Sequence, residues 1–315
     1  MPASRLSLLD QRVGFGRSAT GGASGCLYTV TNDNDSGPGS LRWAAERGGY
    51  WIVFDGNYTI DLNGTIDVAG NTTIDGNGRQ VTLRGGGLYM LGRSASNVIV
   101  ANLAIRESRN GEDLLEVRNG ASTFWFDHLT LVDAGDEYID IGNSDSGGLR
   151  GTISWTRFDR VSGNQHEFAI LIGHNNSPQN NRLIEMTLHH NWFNGTHQRH
   201  PLITGARIHT YNNVVQWRLW GMQVRHDGSS VGAHLVSEGD IFDARYTEDN
   251  REIEAIKLHD GGNFVRADGA WFMNGASVQE SNRSQAFSPG SAYGYSVETA
   301  NQGLFDRVTG GAGRR

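Results

Sequence analysis

NVIVANLAIR, residues 97–106, is an apolar run, an asparagine at position 102 and a second apolar run closed by arginine. β-branched residues suit a pleated surface, and Asn tolerates the left-handed backbone of a sharp bend, so this stretch reads as strand, bend, strand. The theme returns in STFWFDHLTL (122–131), GTISWTRFD (151–159), LIEMTLHHNWF (183–193), ARIHTYNNVV (206–215), AHLVSEGDIF (233–242) and NFVRADGAWF (263–272). The repeats start roughly 22 to 33 residues apart, the spacing of stacked-coil architectures. A polar residue (Asn102, Asp127, Asn191, Asn213, Asp240, Asp268) follows each run at a similar place. Such residues are expected to take the left-handed bend and to ladder their side chains from coil to coil. The reading is an all-β, right-handed parallel β-helix in which each coil buries its apolar face on its neighbours. A sandwich or propeller would instead show Asn-Gly hairpins between alternating strands.

An open stack needs its end covered. SGPGSLRWAAERG (36–48) offers Ser40 and a helix-compatible stretch to Gly48, which predicts a short N-terminal capping helix. The last twenty residues are expected to pack along the outside, and no domain boundary interrupts residues 1–315. The formal charge of -7 disfavours nucleic acid as a partner, because no basic balance offsets phosphate repulsion. A polyanionic substrate would need a bridging cation. Cys26 stands alone, so no intrachain disulfide is expected, and cysteine usage leaves the compartment open. No run approaches the roughly 18 apolar residues of a membrane helix. MPASRLSLLD lacks a signal peptide's apolar region: either the protein stays inside or a leader was removed.

Three constellations bear on chemistry. Asp113 in GEDLLEV and Asp136 and Asp140 in DEYIDI, with Glu112 and Glu137 alongside, have the oxygen-rich character that Ca²⁺ prefers. A strand would put Asp136 and Asp140 on one face; the bland alternative is a solvated acidic rim. WFDH (125–128) reads first as a turn Asp beside a structural His. HHNWFNGTHQRHP (189–201) gathers four histidines around Arg199, yet lacks the spacing of zinc sites. In a strand His189 and His190 point to opposite faces, and His197 and His200 fall in a turn where solvent is the simpler partner.

These residues carry a resemblance. GFGRSATGG, VTNDNDSGPGSLR, WIVFDG, TIDGNG, SNVIVANLAIR, WFDH, DEYIDI, ISWTRF, LIG, TLHHNWFNGTHQRHP and IHTYNN run in order from Gly14 to the final GGAGR. Together they resemble the pectate lyases, secreted parallel β-helix enzymes that cut polygalacturonate by β-elimination. The resemblance implies Ca²⁺ held by Asp113, Asp136 and Asp140, and Arg199 as the base that takes the C5 proton. It implies an extracellular enzyme acting on an acidic plant cell-wall polysaccharide, without nucleic acid or membrane partners, and a monomer is expected. Ca²⁺ would also resolve the charge paradox by bridging an acidic protein to an acidic polymer.

Two positions depart from the family pattern. Phe168 in HEFAILIG stands where the family usually has a lysine, and Thr204 where it has a second arginine. Both missing cations would hold substrate carboxylates; Arg157, Arg160, Arg207, Arg218 or Arg225 could compensate. Lys257, the only lysine, lies too far along the chain to be assumed a replacement. The departures leave room for a lyase acting on methylated pectin or another uronan. A hydrolase and a non-catalytic carbohydrate-binding β-helix are the alternatives of other kinds.

Overall fold

The computed structural model describes residues 3–142, 147–161, 167–174, 178–226, 232–247 and 253–315. Among these, strands assemble into one ten-stranded and two nine-stranded sheets, all paired in parallel along the stack. Each coil supplies one strand to each sheet. Val98–Ala101, Ala104–Arg106 and Leu115–Arg118 form one coil, and Thr123–Asp127, Thr130–Val132 and Glu137–Ile141 the next. The register places Phe124 on Val98, Leu131 on Ile105 and Ile139 on Leu115. The fold is a right-handed parallel β-helix, as the repeats predict. Its interior is a column of like on like: Tyr138 stacks on Phe158, and Phe158 on Phe193 with centroids 4.5 Å apart. Truncating a buried ring such as Phe158 should cost about 3–5 kcal/mol.

The bend after each first strand is left-handed, but mostly not at the residues expected. At that bend the positive-φ residues are Asn102, His128, Trp155, His190, Asn212, Gly239 and Gly269. Of the predicted set, Asn102 alone sits there; Asp127 and Asp268 end the preceding strand, and Asn191, Asn213 and Asp240 come one residue later. The reason is hydrogen bonding. Asn191 Nδ2 donates to Asn213 Oδ1 and Asn213 Nδ2 to Asp240 Oδ1, both at 2.9 Å, while Asn191 also satisfies the backbone of Ile153 and Thr156. An amide can both donate and accept, so Asn191 and Asn213 link one coil to the next and Asp240 accepts at the end of the row, whereas buried Leu103 and Leu129 fill the same slot in two earlier coils. The left-handed slot holds side chains that pack on one another and on the tail: His128, Trp155 and His190 stack, and Asn212 Nδ2 donates to Glu298 O at 2.8 Å. The ladder exists, one position further on than the bend.

The N-terminal end is covered, as expected. Ser40 caps the helix Leu41–Ala45 by accepting from Trp43 N at 3.2 Å, and Leu41, Ala44 and Ala45 are fully buried on the core. The tail packs outside, as expected, and forms a helix, Gln302–Gly311, whose Leu304 and Val308 sit against Val214 and Ile241. A further helix, Ala3–Leu9, lays Leu8 and Leu9 on Trp51, Ile99 and Trp125. Among the described residues no helix is long and apolar enough to cross a membrane.

Candidate active site

One nine-stranded sheet carries the acidic motif on its outer face. Its register aligns Tyr89, Glu116, Asp140, Leu171, Leu202, Gln223 and Lys257 in a single file up the stack. Successive rungs lie about 4.8 Å apart, so the file runs from carboxylates through apolar residues to a lysine four rungs beyond Asp140. Lys257, distant in sequence, therefore shares the face; its Nζ lies 4.0 Å from the Trp220 ring centroid.

At the acidic end, ligand oxygens of Asp113, Glu137 and Asp140 come within 4.8 Å of one another. All three residues are buried. Asp113 precedes its strand and is tied in by Tyr89 Oη, which accepts from its backbone N, while its own Oδ1 accepts from Glu137 N at 2.9 Å. Asp136 does not join the set. The strand begins at Glu137, so Asp136 lies on the preceding bend, half-buried, although it acts electrostatically on both Asp113 and Arg199. The Asp113 carboxyl is pushed up to about 8, first by burial and then by Asp140, Glu116 and Asp136. Carboxylates that raise one another in this way gain from a shared cation. Glu112 Oε2 is buried without a hydrogen-bond partner among the described residues and acts electrostatically on Tyr89, but it is not one of the three converging oxygens. The donor set therefore fits a hard divalent cation such as Ca²⁺. Arg118, ion-paired to Asp140 and 2.8 Å from Glu116, and His174, 2.8 Å from Asp140 Oδ1, hold the set in place. Sequence reading missed both, because register alone brings them to Asp140.

Arg199 meets this cluster through an ion pair with Glu137. Its backbone is left-handed at φ 66° and precedes a cis His200–Pro201 peptide. A non-glycine residue in that region costs about 1–2 kcal/mol, and neighbouring coils hold it there. Ile170 N donates to Arg199 O at 2.8 Å, and Gln223 N donates to Pro201 O at 2.9 Å. His200 is fully buried, its ring bonded to Thr196 Oγ1 and Trp220 O, which corrects the expectation that solvent is its partner. The Arg199 guanidinium lies 4.3 Å over the Phe168 ring, which also stacks on His197. Burial and the nearby Arg225 lower the Arg199 pKa, against the pull of Asp136 and Asp113. Arg225 reaches in from the next coil and donates through Nε to Thr204 Oγ1 at 2.7 Å. Of the arginines proposed to compensate, it is the one the structure brings beside Arg199. Arg207 belongs to another sheet, Arg157 lies over Trp192, Arg160 over Tyr246, and Arg218 faces Glu167.

His128, His189 and His190 are framework. Asp127 and His128 form a buried pair at 2.7 Å, and His128, Trp155 and His190 stack ring on ring. His189 and His190 meet at 3.1 Å instead of facing apart, because the left-handed bend at His190 breaks the strand alternation.

A family model described as pectate lyase matches residues 61–314. Pectate lyase 1 of Chamaecyparis obtusa is 32% identical over 276 residues, covering 79% of this chain and 70% of its own. Pectate lyase 1 of Cryptomeria japonica is 32% identical over 268 residues, covering 76% and 68%. Among solved structures, jun a 1, the major allergen from cedar pollen, superposes with a TM-score of 0.83 at 26% identity over 99% of this chain and 95% of that one. A pectate lyase from Bacillus sp. N165, in complex with trigalacturonate, shares the fold with a TM-score of 0.70 at 21% identity, covering 96% and 98%. With the β-helix and the carboxylate–arginine cluster both in place, the conclusion is that this chain belongs to the pectate lyase family.

Proposed function

We propose that this protein is a Ca²⁺-dependent lyase that cleaves polygalacturonate by β-elimination, with Arg199 as the base. The observation that carries the reading is the contact between a buried carboxylate cluster and an arginine of lowered pKa. Asp113, Asp140 and Glu137 would hold the cation, with Asp136 close enough to add its charge. When bound, Ca²⁺ would neutralise the uronate carboxylate and favour the charge that develops beside it as C5 loses its proton.

The rest falls to the chain itself. A guanidinium takes a proton only when neutral, and its usual pKa lies above about 12. Burial and Arg225 favour the neutral form, whereas Asp136 and Asp113 favour the charged one and Glu137 ion-pairs with it. Using the Glu137 oxygens for the cation would release Arg199 from that grip. Arg199 then accepts the C5 proton, the electron pair forms the C4–C5 double bond, and the C4–O bond breaks to a leaving oxygen that takes a proton from solvent. Arg225, fixed by Thr204, and Lys257 on the outer file would meet further substrate carboxylates. Phe168 gives a specific reason for a second reading, tolerance of methyl-esterified substrate, because it puts an apolar ring where a cation would otherwise select for charge. Residues 1–315 are taken to act as one domain, monomeric and extracellular.

The test is the ultraviolet absorbance of the unsaturated product from polygalacturonate. Chelation should abolish it and added Ca²⁺ restore it; full activity in excess chelator would remove the cation from the account.

A further inference from the structure

Away from the cleft, the outer face of the ten-stranded sheet carries a concentration of arginine that an acidic protein of charge -7 does not lead one to expect. A cavity of about 730 Å³ is lined by Arg12, Arg17, Arg150 and Glu185, with Phe15 at its base. A second, of about 220 Å³, is lined by Arg150, Glu185, Arg182 and Arg207. They share Arg150 and Glu185, so they form one groove between the N-terminal turn and the sheet. Arg12 is half-buried and donates to Leu9 O and Ala19 O, which leaves Arg17, Arg150, Arg182 and Arg207 facing Glu185 among the described residues.

The register explains the layout. Arg150, Glu185 and Arg207 occupy the same position on three successive strands, which puts the two arginines about 9.6 Å apart along the stack at two rungs of sheet spacing. Glu185 sits between them, 2.9 Å from Arg150 and 3.7 Å from Arg207. Arg17 and Arg182 are exposed, and no ion pair to a carboxylate engages either among the described residues. Planar guanidinium forks spaced along a file suit an extended chain that bears a carboxylate on every unit.

We propose that this groove is a second, non-catalytic binding surface for an acidic polysaccharide of the polyuronate class. It rests on the reading of the protein as a pectate lyase for the identity of the polymer, but not on the cleft's metal or base. Its effect would be to keep a long chain close after each cut, raising the local substrate concentration at the cleft.

The test compares the parent with an Arg17→Gln, Arg150→Gln, Arg207→Gln variant. None of the three touches the cleft, and all are surface side chains whose loss leaves the core untouched. Retention on beads bearing polygalacturonate is measured in excess chelator, with beads bearing polyphosphate in parallel. Cleavage of a short soluble oligogalacturonate is followed in Ca²⁺. Exposed ion pairs contribute little each, so three together predict about a tenfold loss of retention, with oligogalacturonate kcat/KM unchanged. Equal retention of parent and variant would overturn the proposal, as would retention on polyphosphate as strong as on polygalacturonate. A chain that is retained through these arginines yet releases no unsaturated product would instead count against the lyase reading alone.

Discussion

Replacing Phe168 with lysine should move the pH dependence of turnover by about two units. The guanidinium of Arg199 lies 4.3 Å from the Phe168 ring centroid. An ammonium at that distance repels it by about 4 kcal/mol at the effective dielectric of a protein surface. The Arg199 side chain is 22% exposed, and solvent at that level halves the repulsion to about 2 kcal/mol, or about 1.5 pKa units. Loss of the ring removes a cation–π contact that favours the charged guanidinium, for about 1 kcal/mol more. Both terms lower the Arg199 pKa. The base works neutral, so its active fraction rises with pH, and a lower pKa moves the acid limb of the kcat profile toward neutrality. Phe168→Leu supplies the control: it loses only the cation–π contact, and its limb should move by less than one unit. The assay is the initial rate of ultraviolet absorbance at saturating substrate and Ca²⁺ between pH 6 and 11. A limb that stays in place in a folded, Ca²⁺-responsive Phe168→Lys protein would refute Arg199 as the titrating base.

Three further outcomes follow from the site. Asp140→Asn keeps the contact geometry with Arg118 and His174 but removes a ligand charge, so the Ca²⁺ concentration for half-maximal activity should rise at least about tenfold; an unchanged requirement would leave the cation to Glu137, Asp113 and Glu112. Asp113, raised to about 8 without metal, should release a proton when Ca²⁺ binds near pH 7, measurable as a buffer-dependent heat in calorimetry. Because its folded pKa lies above the unfolded value, its contribution to metal-free stability is full below about 4 and lost as pH rises through about 8; thermal melts should show Ca²⁺ stabilising most at the alkaline end. Thr204→Val frees Arg225 from a 2.7 Å bond; about 1 kcal/mol of lost positioning predicts a KM about fivefold higher with kcat nearly unchanged, and a fall in kcat alone would argue that Thr204 acts on Arg199 instead.

The coil repeat was legible because burial on a parallel sheet demands β-branched and aromatic residues at a fixed position in each turn. The bend was legible only in part. Asn102 fits the left-handed slot and His128 and His190 are tolerated there, but Trp155 occupies it too, and nothing in an indole announces a positive φ. Asp113, Asp140 and Arg199 could be read from motif order. Glu137 could not be preferred over Asp136 without knowing that the strand starts between them. Arg118, His174 and Arg225 owe their places to register across coils, which spacing along one chain does not encode. Phe168 was visible as a departure, yet its contact with Arg199 needed coordinates.

The central claim, that Arg199 takes the C5 proton, is tested most directly by Arg199→Lys on polygalacturonate with saturating Ca²⁺, followed by ultraviolet absorbance. Lysine keeps the positive charge but loses the planar fork over Phe168 and the contact it makes with Glu137. The account predicts a loss of turnover of at least about a thousandfold, within the range general-base catalysis supplies, with Ca²⁺ binding and the thermal midpoint close to the parent's. A variant that still cleaves within tenfold of the parent would contradict it and move the base elsewhere in the cleft.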